Sequence, residues 1–386
     1  METSLIIKPE FWSAGGVWVG QSDPTEDGST LADFAVRELQ ALNMCFFQTS
    51  GSEGRRKWVG LTKEALLISA KAVNAHFGIT ERDHWLLALP IHHVGGFGVL
   101  ARAFVSDSAV TRLDGKWDAA MFARTCAEAG ATLASLVPTQ VFDLVAAKLS
   151  AAKSMRVVLV GGGAMSSELE QAALQLGWPV RRTYGMTETA SQVASQTTEG
   201  GEMEVLPIWD LSTDDDGALT LRGEALAKGY ALQENGKWRW EPISAEAGLR
   251  TRDRVSLHQE GTRRFLRFVG RESGIVKILG ELVALGPIQE RLEVLRLEMG
   301  LHTGEAVVCD VPDARMGAHL VLAVNGLSNM DAARLQKGLN ETLRPFEQIK
   351  EVLNLTLIPR GELGKVRGEE LRRLLISPSE RSRPEG

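Results

Sequence analysis

Three short stretches of this chain combine residue types that could hold a phosphorylated or metal-bound ligand. The first, FQTSGSEGRRK, runs from Phe47 to Lys57. In it Gly51 and Gly54 sit among the hydroxyls of Thr49, Ser50 and Ser52 and lead into Arg55, Arg56 and Lys57. Small residues after a strand let backbone N–H groups converge on an anion, and nearby cations add charge. The spacing is not that of a Walker A loop, and a polar turn with a solvated basic flank is an equal alternative. The second stretch, Tyr184-Gly-Met-Thr-Glu188, joins an aromatic face, a hydroxyl and a carboxylate within five residues. It could stack a base, hydrogen-bond a phosphate through Thr187 and hold Mg²⁺ through Glu188, since magnesium takes one or two carboxylates plus substrate phosphates. It could equally be a helix N-terminus with Thr187 as cap and Glu188 on the dipole. The third, Gly161–Gly163, offers the bare backbone that a flat ligand or phosphate needs, although a lone triple glycine more often makes a tight turn.

Other candidates are single residues. His92 and His93 follow Pro90, and adjacent side chains are expected to diverge. No further His or Cys lies nearby to complete a zinc set, so one of the two could line a pocket. Asp253 and Arg271 could reach a ribose and a phosphate, yet each alone reads as a surface charge. Arg102, in HHVGGFGVLAR, reads either as an anion ligand or as a solvated helix position. Lys365, in PRGELGKVRG, gains interest only if a second domain carries it to the site.

The elements that must position these residues form an α/β pattern. Apolar strands are expected at 45–49, 84–90, 132–137 and 155–161, and helices at 31–42, 62–77, 117–129, 138–149 and 166–176. Short apolar strands between helices indicate a mainly parallel sheet covered on both faces. Ligands of such sheets bind beyond the carboxyl ends of the strands, where 49–57, 90–96 and 161–166 lie. Residues 203–269 read as short strands and turns, an antiparallel or barrel-like β-rich subdomain. From Arg271 a small α+β unit begins: a hairpin at 275–284, helices at 286–298, 329–343 and 367–375, and strands near 304–310, 318–325 and 351–358. The expected organisation is an N-terminal domain over 1–270, a hinge at 271–274, a C-terminal domain over 275–376 and a disordered tail at 377–386. A chain of 386 residues exceeds what one core usually holds.

Composition narrows the functional classes. A net charge of -6 lacks the basic footprint of a nucleic-acid partner. Three scattered cysteines build neither a disulfide framework nor a metal site and fit a reducing compartment. No apolar run reaches membrane-spanning length, and no signal pattern opens the chain. The expectation is a cytoplasmic protein without membrane insertion.

Taken in order, these motifs resemble those of the adenylate-forming superfamily of acyl-CoA synthetases, adenylation domains and luciferases, from about Phe46 to Leu375. Thr49–Lys57 is similar to the family's phosphate loop, T-S-G-[ST]-[ST]-G-x-P-K. Leu89–Gly96 resembles its acid-pocket motif, with His93 at the aromatic position. Gly161–Gly163 match the adenine-flanking glycines, Tyr184–Glu188 the Y-G-x-T-E motif and Thr251–Asp253 the ribose motif [ST]-G-D. Gly270–Glu281 resembles the hinge segment, and Lys365 sits at the catalytic lysine. SLVPTQ (135–140), VLVGGGAM (158–165) and YGMTETASQV (184–193) resemble the o-succinylbenzoate–CoA ligases of menaquinone biosynthesis, in which a basic residue is often found at the position of Arg102.

The resemblance implies an AMP-forming acid–thiol ligase that uses ATP, Mg²⁺ and coenzyme A, with a small mobile C-terminal domain; a homodimer is compatible with it. Thr49, Ser50, Gly51, Ser52, Gly54 and Lys57 would hold the β- and γ-phosphates. Thr187 would contact the α-phosphate and Glu188 the metal, while Asp253 and Arg271 fix the ribose. Tyr184, Gly185 and Met186 would pack at the adenine with Gly161, Gly162 and Gly163. His93, Arg102, Gly162 and Gln192 would line the acid site. Lys365 would join the acid and the α-phosphate in the first half-reaction, and Gly280 would face the thioester tunnel in the second. The sequence departs from the pattern at Glu53, Arg56, Trp58, Arg252 and Ser273. Glu53 sets a negative charge in the phosphate loop, which Arg55, Arg56 and Lys57 can offset. Two other readings stand beside this one: a CoA ligase for a different aromatic or aliphatic acid, and a non-catalytic nucleotide-binding relative.

Overall fold

The computed structural model describes residues 6–21, 28–50, 56–313, 315–361, 364 and 366–376. Its largest element is an eleven-stranded sheet. One half is parallel: Ala109–Arg112, His84–Leu87, Leu133–Leu136, Val157–Val160 and Val180–Tyr184 lie side by side. Leu133–Leu136 and Val157–Val160 are buried at every position. Alternate side chains enter two different cores: Trp85, Leu87, Leu133 and Leu159 one, Leu86, Ala134, Leu136 and Val158 the other. This is the period-2 alternation of a strand carried through a sheet covered on both faces. Helices Lys63–Phe77, Ala119–Ala129 and Ser167–Gln175 begin where Thr62, Asp118 and Ser166 accept the orphan N–H groups of the first turn.

At Val180–Tyr184 the sense of the sheet changes. Its other neighbour, Ala194–Gln196, runs antiparallel with Tyr184 opposite Ala194. Met203–Val205, Arg263–Arg271, Leu249–Glu260, Ala218–Gly223 and Trp209–Thr213 continue in antiparallel order. The β-rich stretch is therefore antiparallel as expected, but these strands extend the parallel sheet and close no barrel of their own, while Gly229–Glu234 and Lys237–Pro242 join a separate five-stranded sheet.

Ala109–Arg112 and Val180–Tyr184 are strands that were not expected, and two further elements differ in kind or placement. The strand expected at 45–49 forms as Met44–Ser50 but stays out of the parallel sheet. It pairs antiparallel with Arg56–Thr62, and that strand pairs with Gly229–Glu234. The sequence hid Arg56–Thr62 because Trp58, Val59 and Leu61 are all buried, on both faces, so no alternation marks it. The second is the helix Val94–Ser106, where only a loop was expected up to Gly96. Gly95, Gly96 and Gly98 lower its intrinsic propensity. Packing overrides this: the helix buries Phe97, Val99 and Leu100, and a Cβ on Gly96 would fall 2.2 Å from the Pro90 carbonyl oxygen.

After the Glu272–Gly274 turn of 3₁₀ helix comes the hairpin Ile275–Ile278/Glu281–Ala284. A three-stranded sheet follows, with Gly317–Asn325 at its centre between Glu305–Asp313 and Ile349–Asn354. It lies between helices Leu285–Glu298 and Asn329–Asn340 on one face and Gly368–Ile376 on the other. The two apolar clusters here draw only on residues from Val276 onward. The tail expected at 377–386 lies outside the described residues. Among the described residues, no helix is long and apolar enough to cross a membrane.

Candidate functional site

The chemistry-bearing residues gather where the sheet changes sense. Tyr184 ends the last parallel strand, and its hydroxyl donates to Asp253 Oδ2 at 2.8 Å. Arg271 Nε donates to the other oxygen, Oδ1, at 2.6 Å. Asp253 and Arg271 are cross-strand partners, so register sets this contact. Asp253 is 4% exposed, which excludes the surface-charge reading. Burial and the Asp253 carboxylate push the Tyr184 hydroxyl far above the ordinary tyrosine range, so it remains a donor. Each carboxylate oxygen keeps a second lone pair for a ligand hydroxyl.

The loop after Tyr184 is tightly wound. Thr187–Thr189 is a single 3₁₀ turn, not the start of a long helix, and Thr189 Oγ1 closes it on the Met186 N–H. Ala190 and Ser191 follow at φ of 50° and 102°. Gly185 has no room for a side chain: a Cβ there would lie 1.6 Å from the Ser191 carbonyl oxygen. Thr187 is half-buried. Glu188 Oε1 accepts from the Tyr230 hydroxyl at 3.2 Å, and the Lys57 ammonium lies 5.3 Å from the centre of the same tyrosine ring. Tyr230 comes from the Gly229–Glu234 strand, whose pairing with Arg56–Thr62 places Leu232 opposite Lys57. Burial and Glu188 raise its hydroxyl well above the usual range, so it too stays protonated. Sequence reasoning passed over Tyr230. A signal existed, because the chain has only two tyrosines and both donate to acidic residues of this cluster.

Arg102 lies at the other end of that loop. It is 2% exposed, which overturns the solvated-helix alternative. Its guanidinium donates to Ser191 Oγ at 2.8 Å and Ser135 Oγ at 3.5 Å, and sits 5.7 Å from the centre of the Trp85 ring. Among the described residues no carboxylate lies within ion-pair distance of it, and its Nε has no hydrogen-bond partner. Burial lowers its pKa to about 10, so the cation persists at neutral pH. A buried cation without a counter-charge is costly, and an anionic ligand would remove that cost. Ser191, in a loop, and Ser135, in the strand Leu133–Leu136, were not singled out from the sequence; a lone hydroxyl in either setting carries no distinguishing pattern.

Other predicted residues take varied places. The His92 and His93 rings do not diverge; their centres are 4.6 Å apart at 50°. His93 stands at the N-cap of Val94–Ser106. Gln192 is buried, and its amide oxygen accepts from Ser195 Oγ at 2.8 Å. Gly161 follows Val157–Val160, and Gly162 and Gly163 lie on the surface beside Val137 and Pro138. Thr49 and Lys57 face one another across the hairpin. Gly51, Ser52, Glu53 and Gly54 lie outside the described residues, as does Lys365; Ser50 is described in its backbone alone. Gly280 occupies the tip of the Ile275–Ala284 hairpin at φ 89°, in a two-residue turn with Leu279 at φ 52°. The structure does not bring it against Tyr184, Glu188 or Arg102.

The Glu188 carboxylate is the group that fits a magnesium ion. It is held in place by Tyr230, and a single carboxylate suffices where phosphates complete the shell. The only set of three potential metal ligands among the described residues, Glu202, His258 and Glu260, lies on the surface and shares no member with this cluster.

Residues 17–231 match the sequence profile of the AMP-binding enzyme family. A 2-succinylbenzoate–CoA ligase of Bacillus cereus is 28% identical over 368 residues, covering 91% of this chain and 73% of that protein. The ligase of that name from Bacillus cytotoxicus is 28% identical, with 97% and 78% covered. Among solved structures, an E. coli MenE variant with bound OSB-AMS superposes with a TM-score of 0.67 at 26% identity, over 86% of this chain and 68% of that one. The fold is also that of Bacillus subtilis o-succinylbenzoate CoA synthetase in complex with OSB-AMP, with a TM-score of 0.73 at 24% identity, over 88% and 70% of the two chains.

Proposed function

The chain belongs to the AMP-binding enzyme family, and from that premise we propose that it is an ATP-dependent acid–CoA ligase whose acid is 2-succinylbenzoate. The acid carboxylate attacks the α-phosphorus of ATP; the bond to the β-phosphate oxygen breaks and pyrophosphate leaves. The thiolate of CoA then attacks the acyl carbon, and the carbon–oxygen bond to AMP breaks. Carboxylates are weak nucleophiles, so the first step depends on positioning and charge neutralisation.

The residues fit that division of labour. Asp253, shared between Tyr184 and Arg271, offers lone pairs to a ribose. The Tyr184 ring, with Phe268 at 5.9 Å, gives an apolar wall for adenine beside Gly161–Gly163. Glu188 would hold Mg²⁺, which neutralises phosphate charge when bound, and Tyr230 fixes that carboxylate while Lys57 supplies a cation. Lys365 would join the acid to the α-phosphate in the first step alone. Ligases named for 2-succinylbenzoate align over most of the chain.

One observation carries the choice of acid: Arg102, buried with no carboxylate partner among the described residues and anchored by Ser191 of the YGMTETAS loop. 2-Succinylbenzoate has two carboxylates, one to be activated and one left over for such a cation. The test is pyrophosphate release with ATP, Mg²⁺, CoA and a panel of 2-succinylbenzoate, benzoate and a medium-chain fatty acid. Turnover should be at least tenfold higher in kcat/KM with 2-succinylbenzoate. Preference for a monocarboxylate would transfer the chain to another acid, and no turnover with any would favour the non-catalytic reading.

A further inference from the structure

One side chain ties down the described residues that flank Lys365 in the sequence. Arg360 and Val366 form an isolated antiparallel bridge. Within it the Gly364 N–H donates to the Gly361 carbonyl at 2.9 Å, and the Arg367 N–H to the Pro359 carbonyl at 2.8 Å. Arg360 donates through Nε to Glu305 Oε1 at 3.1 Å, and through a terminal guanidinium nitrogen to the Gly364 carbonyl. Glu305 opens the Glu305–Asp313 strand, whose neighbours hold it on the sheet. Among the described residues, no other side chain bonds that carbonyl.

This stretch also touches the N-terminal part of the chain. Gly364 has φ of +70°, and a Cβ on it would stand 2.8 Å from Thr139 Oγ1. Thr139 is the second residue of helix Pro138–Ala146, whose start adjoins Gly162 and Gly163. One turn further along, Phe142 carries the Arg296 guanidinium 5.2 Å from its ring centre. The residue immediately before Lys365 is thus pressed onto the helix bordering the triple-glycine loop.

We propose that Arg360 is a positioning residue for the adenylate-forming half-reaction: by bridging Glu305 and the Gly364 carbonyl, it fixes the backbone on the immediate N-terminal side of Lys365. The proposal rests on the reading of Lys365 given above. A turn with glycines at 361 and 364 samples many backbone states, and ordering it costs conformational entropy. The planar guanidinium can satisfy a carboxylate and a carbonyl in fixed directions at once, whereas an ammonium is a point charge on a flexible stem. Loss of the bridge lowers the fraction of enzyme with the lysine in place, which reduces the rate of the first step without touching the nucleotide contacts. The second step, which does not use the lysine, keeps its rate.

The experiment measures the two half-reactions separately in the full chain. Pyrophosphate release is followed with 2-succinylbenzoate, ATP and Mg²⁺, and thioester formation with supplied 2-succinylbenzoyl-adenylate and CoA. Arg360→Ala should slow pyrophosphate release at least tenfold, with KM for ATP and the rate of thioester formation both within twofold of wild type. Arg360→Lys keeps the charge facing Glu305 and guards against misfolding; it should still be slowed at least fivefold in the first step. Lys365→Ala is run alongside and should abolish the first step while sparing the second. Unchanged pyrophosphate release in Arg360→Ala, equal losses in both half-reactions, or complete rescue by lysine would each overturn the proposal. If Lys365→Ala itself slows both steps alike, it is the role of the lysine that fails.

Discussion

Arg102 shows how a single residue can declare a ligand class. Its guanidinium rests on two serine hydroxyls and an indole ring, with no described acidic group within ion-pair distance. Hydrogen bonds to charged groups contribute about 1.5–3 kcal/mol, roughly tenfold or more in affinity. Arg102→Ala should therefore raise KM for 2-succinylbenzoate about tenfold or more while leaving KM for ATP within twofold. Unchanged KM for the acid would remove Arg102 from the acid site. The residue's type and position were legible in HHVGGFGVLAR, but its burial was not. Three glycines masked the helix, and only packing against Trp85 and the Ser191 loop determines which way the side chain points. Tyr230 was missed for a related reason: its partner Glu188 is 42 positions away, beyond any local pattern.

Among the elements, the turn between Val180–Tyr184 and Ala194–Gln196 joins the proposed nucleotide and acid ends of the cluster. Glu188 and Ser191 sit three residues apart on it, one facing Tyr230 and the other Arg102. Its shape requires close backbone approach at Gly185, where the obstructing atom is a carbonyl oxygen with no freedom to rotate aside. Gly185→Ala must displace Ser191. Overpacking of this kind costs about 1–3 kcal/mol, so thermal melting should fall by several degrees. KM for the acid should rise as well, because Arg102 loses its anchor. A variant that melts and turns over like wild type would show that the loop can relax, and the coupling between its two ends would be lost. Most helices and strands were legible because their periodicity is local. The assignment of Met44–Ser50 to a sheet was not, since Arg56–Thr62 is buried on both faces and its other neighbour, Gly229–Glu234, lies far along the chain.

Across the molecule, the segment after Ile275 meets the N-terminal part along helix Pro138–Ala146, and an acidic residue lies close behind that seam. Glu293, on helix Leu285–Glu298, faces Glu290, Gln289, Arg296 and Arg360, and its pKa is raised to about 7, by burial first and by Glu290 second. A carboxyl group whose folded pKa exceeds its unfolded value favours the folded state only while protonated. Its contribution is full below about pH 4.5 and is lost as pH rises through 7. Glu293→Gln should then raise stability at pH 8 by about 1 kcal/mol, or ~2–4 °C in melting temperature, with the gain shrinking toward pH 5. A gain independent of pH would show that Glu293 does not titrate in this range. The succession of an α/β half, a β-rich stretch and a small α+β unit was readable from the chain; how they abut was not, because contacts such as Thr139 with Gly364 leave no trace in periodicity.

The strand Val180–Tyr184 has a parallel neighbour on one edge and an antiparallel one on the other. Detaching it would split the large sheet in two and withdraw Tyr184 from Asp253 in the same event. The proposed nucleotide end of the cluster therefore cannot open as a local fluctuation; it opens only with a substantial part of the fold. Its rigidity is inherited from the global stability of the sheet. A destabilising change deep in either core should thus be felt as fewer competent molecules rather than as weaker binding by each one.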